Sequence, residues 1–486
     1  MPSLIEIIKL THSVLLTSQP GDAIRECGRP ALSLLSRDPD MCIRLAYQKL
    51  HDVPYKEVKA CWRRLYTDAA LWKALRLLER LEGELRGEPE ENDGNEDLTT
   101  KIVRVLDMAL ILAGAPGREE IVELIFSALR GVLEGEQRRD EIGRPSKRRR
   151  LDHQDKGPTF QETVMDRFPL TALNEPRFRC PMSRVENISL EAFQSRIEKP
   201  DIQPFIITGA INHWPALNER PWAKPSYLLS HTLGGRRLVP IEIGRSYTDQ
   251  GWGQKIVSFS EFMTKYIAQP HTTSSPQKLL HESSSRSKVD KNEEPNRIGY
   301  LAQHDLLTQI PSLRPDLCIP DYCYASPPPH TLPHITSVPK LTEPLLNAWF
   351  GPSGTISPLH TDPYHNILAQ VVGYKYLRLY APEETASLHP RGRDENGVDM
   401  SNTSSVDLDE AFRCMPAMNP FAVNNASAET LDSTAVSEFL DTYPGFQEAK
   451  YVEGVLGPGE CMYIPVGWWH YVRSLSPSFS VSFWFN

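Results

Sequence analysis

The chain has no run of about eighteen apolar residues, so the sequence offers no membrane-spanning helix. Its 8 cysteines include no CxxC pair and no zinc spacing, the pattern of reduced thiols and not of a disulfide framework. Net basic charge is also missing. Lys and Arg total 53 against 62 Asp and Glu, a net charge of -9, whereas nucleic-acid binding leaves a basic footprint. The opening stretch, MPSLIEIIKLTHSVLL, mixes acid with base and lacks a small-residue cleavage site. It reads as an amphipathic helix, not a signal peptide. These absences point to an intracellular globular protein with no membrane and no direct nucleic-acid partner.

What is present divides the 486 residues into unlike parts. Residues 1–135 read as helical. Leu71, Leu75 and Leu78 recur at helical spacing, with Trp62 and Leu65 on the same face. Ile102, Val105, Leu106, Ala109 and Leu112 make a second stripe, and Ile121, Leu124, Ile125, Ala128 and Leu129 a third. Pro116-Gly117 breaks the helix between them. The acidic stretch EGELRGEPEENDGNEDL reads as a solvated loop. The stripes are core faces in the first instance; a groove for a protein partner is the alternative. Residues 136–165 form a charged linker holding the basic run PSKRRRL, residues 145–151. Such a run is a nuclear-import signal or plain linker, so the nucleus is the expected location, with the cytoplasm as second.

Residues 166–486 turn to strands. PFIITG, residues 204–209, and LVPIEI, residues 238–243, read as buried strands, and Ser258-x-x-Glu261 is a capping box. Polar stretches at 271–297, 326–340 and 391–450 read as disordered insertions. The expected fold is α+β: an all-helical domain followed by a double-stranded β-helix, the cupin-like jelly roll.

The second domain carries the chemistry. His360-x-Asp362 puts an imidazole and a carboxylate two residues apart, where both share a strand face. Two His and one carboxylate on one octahedral face leave three positions open, the arrangement of non-haem Fe(II) oxygenases. His470, between two strand-like runs of GPGECMYIPVGWWHYVRSLSPSFSVSFWF, is the third ligand. His365 and His389 are rivals. His365 has an odd offset from His360 and should face away; His389 sits in a Leu-His-Pro loop. Lys375, flanked by Tyr374 and Tyr376, offers a point charge for the far carboxylate of an acidic cosubstrate.

NAWFGPSGTISPLHTDPYHN, GYKYLRLYAPEE and PVGWWHYVRSLSPSFSVSFWF resemble the Jumonji-C family of Fe(II)- and 2-oxoglutarate-dependent oxygenases. VPIEIGRSYTDQGW and YLAQHDLLTQIP extend the likeness upstream, to a branch known for arginyl hydroxylation and proposed lysine demethylation. The likeness covers most of residues 180–486. It implies Fe(II) on His360, Asp362 and His470, with 2-oxoglutarate and O2 as cosubstrates. It also implies 2-oxoglutarate contacts from Lys375, Tyr300, Ser357 and Asn366, in a pocket lined by Trp349 and Trp484. On the substrate side it implies Glu242, Tyr247, Asp249, Trp252 and Gln303. The partner would be a protein or peptide, in the range of histone, ribosomal or chromatin proteins. The resemblance puts arginine hydroxylation first and histone methyl-lysine demethylation second. A zinc hydrolase would not need Lys375, and an inert scaffold would lack a ligand or the lysine.

Overall fold

The computed structural model describes every residue except 1–2, 18, 88–95, 143–164, 170–175, 250, 269–297, 331, 334, 336–337, 395–396 and 423–432. Six helices come first: α1 Leu4–Leu16, α2 Gly28–Leu34, α3 Pro39–His51, α4 Ala60–Leu85, α5 Leu98–Ala113 and α6 Glu119–Ile142. Side chains fix their starts. Ser3 and Glu6 form a reciprocal box at α1, and Asp38 and Asp97 cap α3 and α5. The long α4 is the axis. Its Leu71, Ala74 and Leu78 pack on Ile7, Ile102 and Leu106, while Leu65, Ala69 and Ala70 pack on Cys42, Ala46 and Leu50.

α6 runs to Ile142, past the boundary expected at 135. EGEQRRDEI is polar enough to read as linker, yet Glu, Gln and Arg are good helix formers. The basic run 145–151 lies outside the described residues, as does the insertion at 271–297. No helix among the described residues is long and apolar enough to cross a membrane.

Thirteen strands follow: β1 Ser183–Glu186, β2 Phe205–Thr208, β3 Leu238–Ile243, β4 Gly253–Ser258, β5 Gly299–His304, β6 Leu345–Gly351, β7 Ile356–His360, β8 His365–Val372, β9 Lys375–Tyr380, β10 Tyr451–Leu456, β11 Cys461–Ile464, β12 Trp469–Ser474 and β13 Ser478–Phe485. A nine-stranded sheet takes the order β1-β2-β11-β8-β13-β6-β5-β3-β4, and a four-stranded sheet the order β10-β9-β12-β7. All pairs are antiparallel except β1–β2. This is the expected double-stranded β-helix behind a helical region. Between the sheets, Leu368, Leu377, Leu379, Met462 and Ile464 fill part of the interior. Behind the large sheet, Phe350, Phe479 and Phe483 face a second apolar layer.

The expectation of a disordered insertion over 391–450 fails among the described residues. Helices Leu408–Cys414 and Ser433–Thr442 lie there. Val406, Leu408, Phe412, Met415, Phe439 and Phe446 pack on Tyr376, Tyr380, Trp469 and Tyr471, the outer face of the small sheet. That sheet needs an apolar cover, and average polarity hid the few residues that supply it. Among the described residues of 326–340 there is no helix or strand. Ile335 nevertheless seats on Gly467, where a Cβ would come within 2.3 Å of it.

The helical region docks on the start of β3. Asp107 of α5 is fully buried and accepts from Arg237 Nε (2.9 Å), Leu238 N (2.7 Å) and Gln309 Nε2 (3.1 Å). The Arg237 guanidinium lies 3.8 Å over the Phe126 ring of α6. β3 leads straight to Glu242, so this joint bears on the site.

Candidate metal and cosubstrate site

The small sheet brings the two histidines together. β12 pairs with β7 so that His470 stands opposite His360, with a register shift just after it. Their rings are 4.1 Å apart. Asp362 lies beyond the end of β7, in the turn to β8, so the turn and not strand alternation aims its carboxylate. His360 Nε2 is 3.8 Å from Asp362 Oδ1, and His470 Nε2 is 3.5 Å from Asp362 Oδ2. The three ligand atoms lie within 4.8 Å of one another, the one such group among the described residues.

Both rings are set for a metal. His360 Nδ1 is 2.7 Å from the Pro358 carbonyl and His470 Nδ1 3.1 Å from that of Trp468, so each Nδ1–H donates to backbone. Nε2 is then the free lone pair on each ring. Burial, and then His470 beside it, push the His360 imidazole down to about 4, which keeps it neutral. Burial pushes the Asp362 carboxyl up, but hydrogen bonding and charge from His470, with help from His360 and Asn366, hold it below the ordinary range. Two imidazoles that each keep Nε2 free and one carboxylate fit a first-row divalent ion such as Fe(II).

One cavity runs from these ligands to Lys375. Tyr300, Trp349, Ser357 and Asn366 line it, over an apolar floor of Leu368, Ile464 and Val472. Lys375 is 2 % exposed and makes no ion pair among the described residues. Burial pushes its ammonium down to about 7. It donates to Ser480 Oγ (2.6 Å) and the Tyr300 hydroxyl (3.3 Å). Gly373 lets the chain turn into β9 just before it: φ is +71°, and a Cβ would meet the Pro477 carbonyl at 2.0 Å. At the metal end, Asn366 Oδ1 is buried without a partner among the described residues. A buried lysine that makes no ion pair among the described residues, in a cavity that reaches the metal ligands, fits the far carboxylate of an elongated dicarboxylate such as 2-oxoglutarate.

Trp484 stands apart from this lining. It pairs in register with Asn366 and stacks on Tyr364 at 5.7 Å, with its Nε1 buried and unpartnered. His365 faces away from the metal group, its Nδ1 2.8 Å from the Tyr463 hydroxyl. His389 Nε2 contacts the Pro444 carbonyl. Sequence reasoning missed Ser480. The signal was legible: Ser478, Ser480 and Ser482 alternate with Phe479, Val481 and Phe483 along a fully buried strand. Hydroxyls on a buried face need partners, and Ser482 takes one from Trp349 Nε1 (3.1 Å).

The substrate-side residues gather at the edge of the large sheet. Glu242 pairs with Tyr300 across β3 and β5. Burial pushes its carboxyl up, opposed by a hydrogen bond from Trp252. Glu242 forms no ion pair among the described residues. The Tyr247 hydroxyl is 3.2 Å from Thr403 Oγ1. Trp252 is partly exposed, and Gln303 is exposed with φ +46°. Asp249 is engaged elsewhere, with both oxygens accepting from Arg245.

A cupin-like domain family matches residues 191–486. Lysine-specific demethylase 8 of Danio rerio is 35% identical over 91% of this chain and 86% of its own length. The Xenopus tropicalis protein of that name is 32% identical over 100% of this chain and 97% of its own. Jumonji C domain-containing protein 5 of Drosophila melanogaster is 35% identical over 65% of this chain and 62% of its own.

Proposed function

Because this chain belongs to the Jumonji-C family of cupin-like, 2-oxoglutarate-dependent oxygenases, we propose that it oxidises a cationic side chain of a protein substrate, with N-methyl-lysine demethylation as the leading reading. The observation that carries it is the single cavity joining the His360–Asp362–His470 group to the unpaired Lys375, with the unpaired Glu242 close by on β3. The names of the Danio rerio and Xenopus tropicalis relatives favour demethylation over the arginine hydroxylation that the sequence resemblance puts first. Arginine hydroxylation stays as the second reading, because the Glu242 carboxylate beside Trp252 suits a guanidinium as well as an ammonium.

His360, Asp362 and His470 would hold Fe(II). Lys375, with Tyr300 and Ser480, would take the far carboxylate of 2-oxoglutarate, and Asn366 would meet its metal end. Bound together, iron and 2-oxoglutarate supply an oxidant from O2 that inserts oxygen into a C–H bond and leave succinate and carbon dioxide. The chain's own part is placement. Leu368, Ile464 and Val472 keep water from the reacting end. Glu242 and Trp252 hold the substrate cation so that one carbon beside it reaches the cavity. Oxygen on an N-methyl carbon gives a hemiaminal that releases formaldehyde; oxygen on a side-chain carbon not bonded to nitrogen stays as an alcohol.

A histone is one of the protein substrates that the sequence resemblance implies, and the nucleus the expected place of action. Lys147→Ala with Arg148→Ala, Arg149→Ala and Arg150→Ala should lower nuclear accumulation, read by imaging in cells. The function is tested by incubating the enzyme with Fe(II), 2-oxoglutarate and O2 on methyl-lysine and arginine peptides. Formaldehyde in step with succinate supports demethylation. An arginine peptide heavier by one oxygen, without formaldehyde, supports the second reading. Neither product rejects both.

A further inference from the structure

The β3–β4 hairpin is the outer edge of the large sheet, and β4 is only partly buried. The described residues of its connecting loop, 244–249 and 251–252, include Tyr247 and Trp252. A hairpin tip with few apolar anchors depends on its own hydrogen bonds and on what crosses to it. Here the crossing group is Arg245. Its Nε and Nη2 donate to Asp249 within the loop (2.9 and 3.2 Å). Nη1 donates to Asp409 Oδ2 (3.1 Å), and Nη2 also meets Asp407. Asp407 and Asp409 belong to the cover of the small sheet. Asp409 also accepts from the Tyr471 hydroxyl (2.8 Å) and Arg473 Nη1 (3.1 Å) of β12, the strand of His470. A second link runs beside it: Tyr247 meets Thr403, whose backbone bridges to His360.

We propose that Arg245 is a positioning residue for the substrate, a clasp that ties the β3–β4 loop of the large sheet to the segment that covers the outer face of the small sheet. It sets the loop that presents Tyr247 and Trp252, and through Trp252 the Glu242 carboxylate. This deepens the reading of a protein substrate and rests on it. The charges explain why one residue matters. Three carboxylates surround the Arg245 guanidinium, and among the described residues only Asp409 has a second cation, Arg473. Without Arg245, Asp249 and the Asp407–Asp409 pair repel, and the loop swings off the cover. With it, these three carboxylates and two guanidiniums keep one net negative charge beside the loop that carries Trp252, the sign that draws a cationic side chain. Arg245 is 37% exposed, so screening limits the effect to a modest factor.

The test uses the full chain and Arg245→Met, with Asp407→Asn as the milder variant. Amide hydrogen exchange should quicken about tenfold in residues 245–252 and stay unchanged in β8. The KM for the oxidised peptide should rise about tenfold, while the KM for 2-oxoglutarate moves less than about twofold. More succinate should form per modified peptide, because a loose substrate uncouples the two. Arg245→Lys should restore part of the peptide KM, since it keeps the charge but not the fork. Unchanged exchange in the loop overturns the clasp. Quickened exchange with an unchanged peptide KM overturns its positioning role. If the wild-type enzyme oxidises neither peptide, the functional reading falls, and the clasp is decided on exchange alone.

Discussion

Lys375 is held near neutrality by burial, its ammonium pushed down to about 7, with no ion pair among the described residues. A dicarboxylate needs it charged. It is cationic below about 7 and loses its proton as pH rises through that value. The KM for 2-oxoglutarate should therefore climb above pH 7, approaching about tenfold per pH unit. Lys375→Met should raise that KM at every pH and flatten the profile, read by succinate formation. The metal group makes a sharper contrast. His360→Ala or Asp362→Ala should abolish iron-dependent turnover with the fold kept, while His365→Ala should still bind iron, measured anaerobically. His365 acts on stability instead. Burial pushes its imidazole down to about 4, so the unfolded chain takes up its proton first, near 6.5. Stability of the metal-free protein should fall as pH drops from about 6.5 towards 4. His365→Gln should remove on the order of 2 kcal/mol of that loss, read from urea midpoints. Glu242→Gln should lower peptide specificity roughly ten- to a hundredfold and spare the KM for 2-oxoglutarate. Most of these residues were legible because their types are rare in buried strands and their motif is compact. Ser480 was passed over because a serine draws notice only when its whole strand is known to be buried.

At the scale of elements, the segment over the small sheet matters most. Phe412 is 4% exposed and lies under the Arg378 guanidinium at 4.7 Å. Phe412→Ala should cost about 3 to 5 kcal/mol in thermal or denaturant unfolding. The same change should disturb the metal ligands, since helix Leu408–Cys414 packs on the sheet that holds His360 and His470. Sequence reasoning read this cover as loose polar chain. Its apolar residues come singly between turns, too sparse for a periodicity window to register. The amphipathic helices of the first 135 residues had no such problem. Their stripes repeat over several turns, and α4, α5 and α6 bury the leucines and isoleucines those stripes name. The turn carrying Asp362 falls between these cases: its ligand was plain from spacing, but its departure from the strand was not.

At the scale of the molecule, the helical region and the barrel share a buried ion pair. Arg237 Nη2 and Asp107 Oδ1 are 2.8 Å apart, with side chains 1% and 0% exposed. Asp107→Ala leaves a buried guanidinium unpaired and should cost about 3 to 5 kcal/mol. It should also loosen β3, which begins at Leu238 on the same carboxylate. Calorimetry should show one unfolding transition in the wild-type chain. A chain starting at residue 165 should be much less stable, because Leu233 packs in the helical core. Spacing cannot reveal a pair 130 residues apart.

Local sequence determined the class of the protein. Helical stripes, strand runs, the His360-x-Asp362 motif and the placement of Lys375 are properties of short stretches, and short stretches report through propensity and periodicity. Tertiary structure decided the rest. It brought His470 opposite His360, put Ser480 under Lys375, gave Asp249 to Arg245, and folded residues 391–450 onto the small sheet. Each of these depends on which distant surfaces need covering and which buried charges need partners. Burial and pairing belong to the assembled chain, and no short stretch carries them.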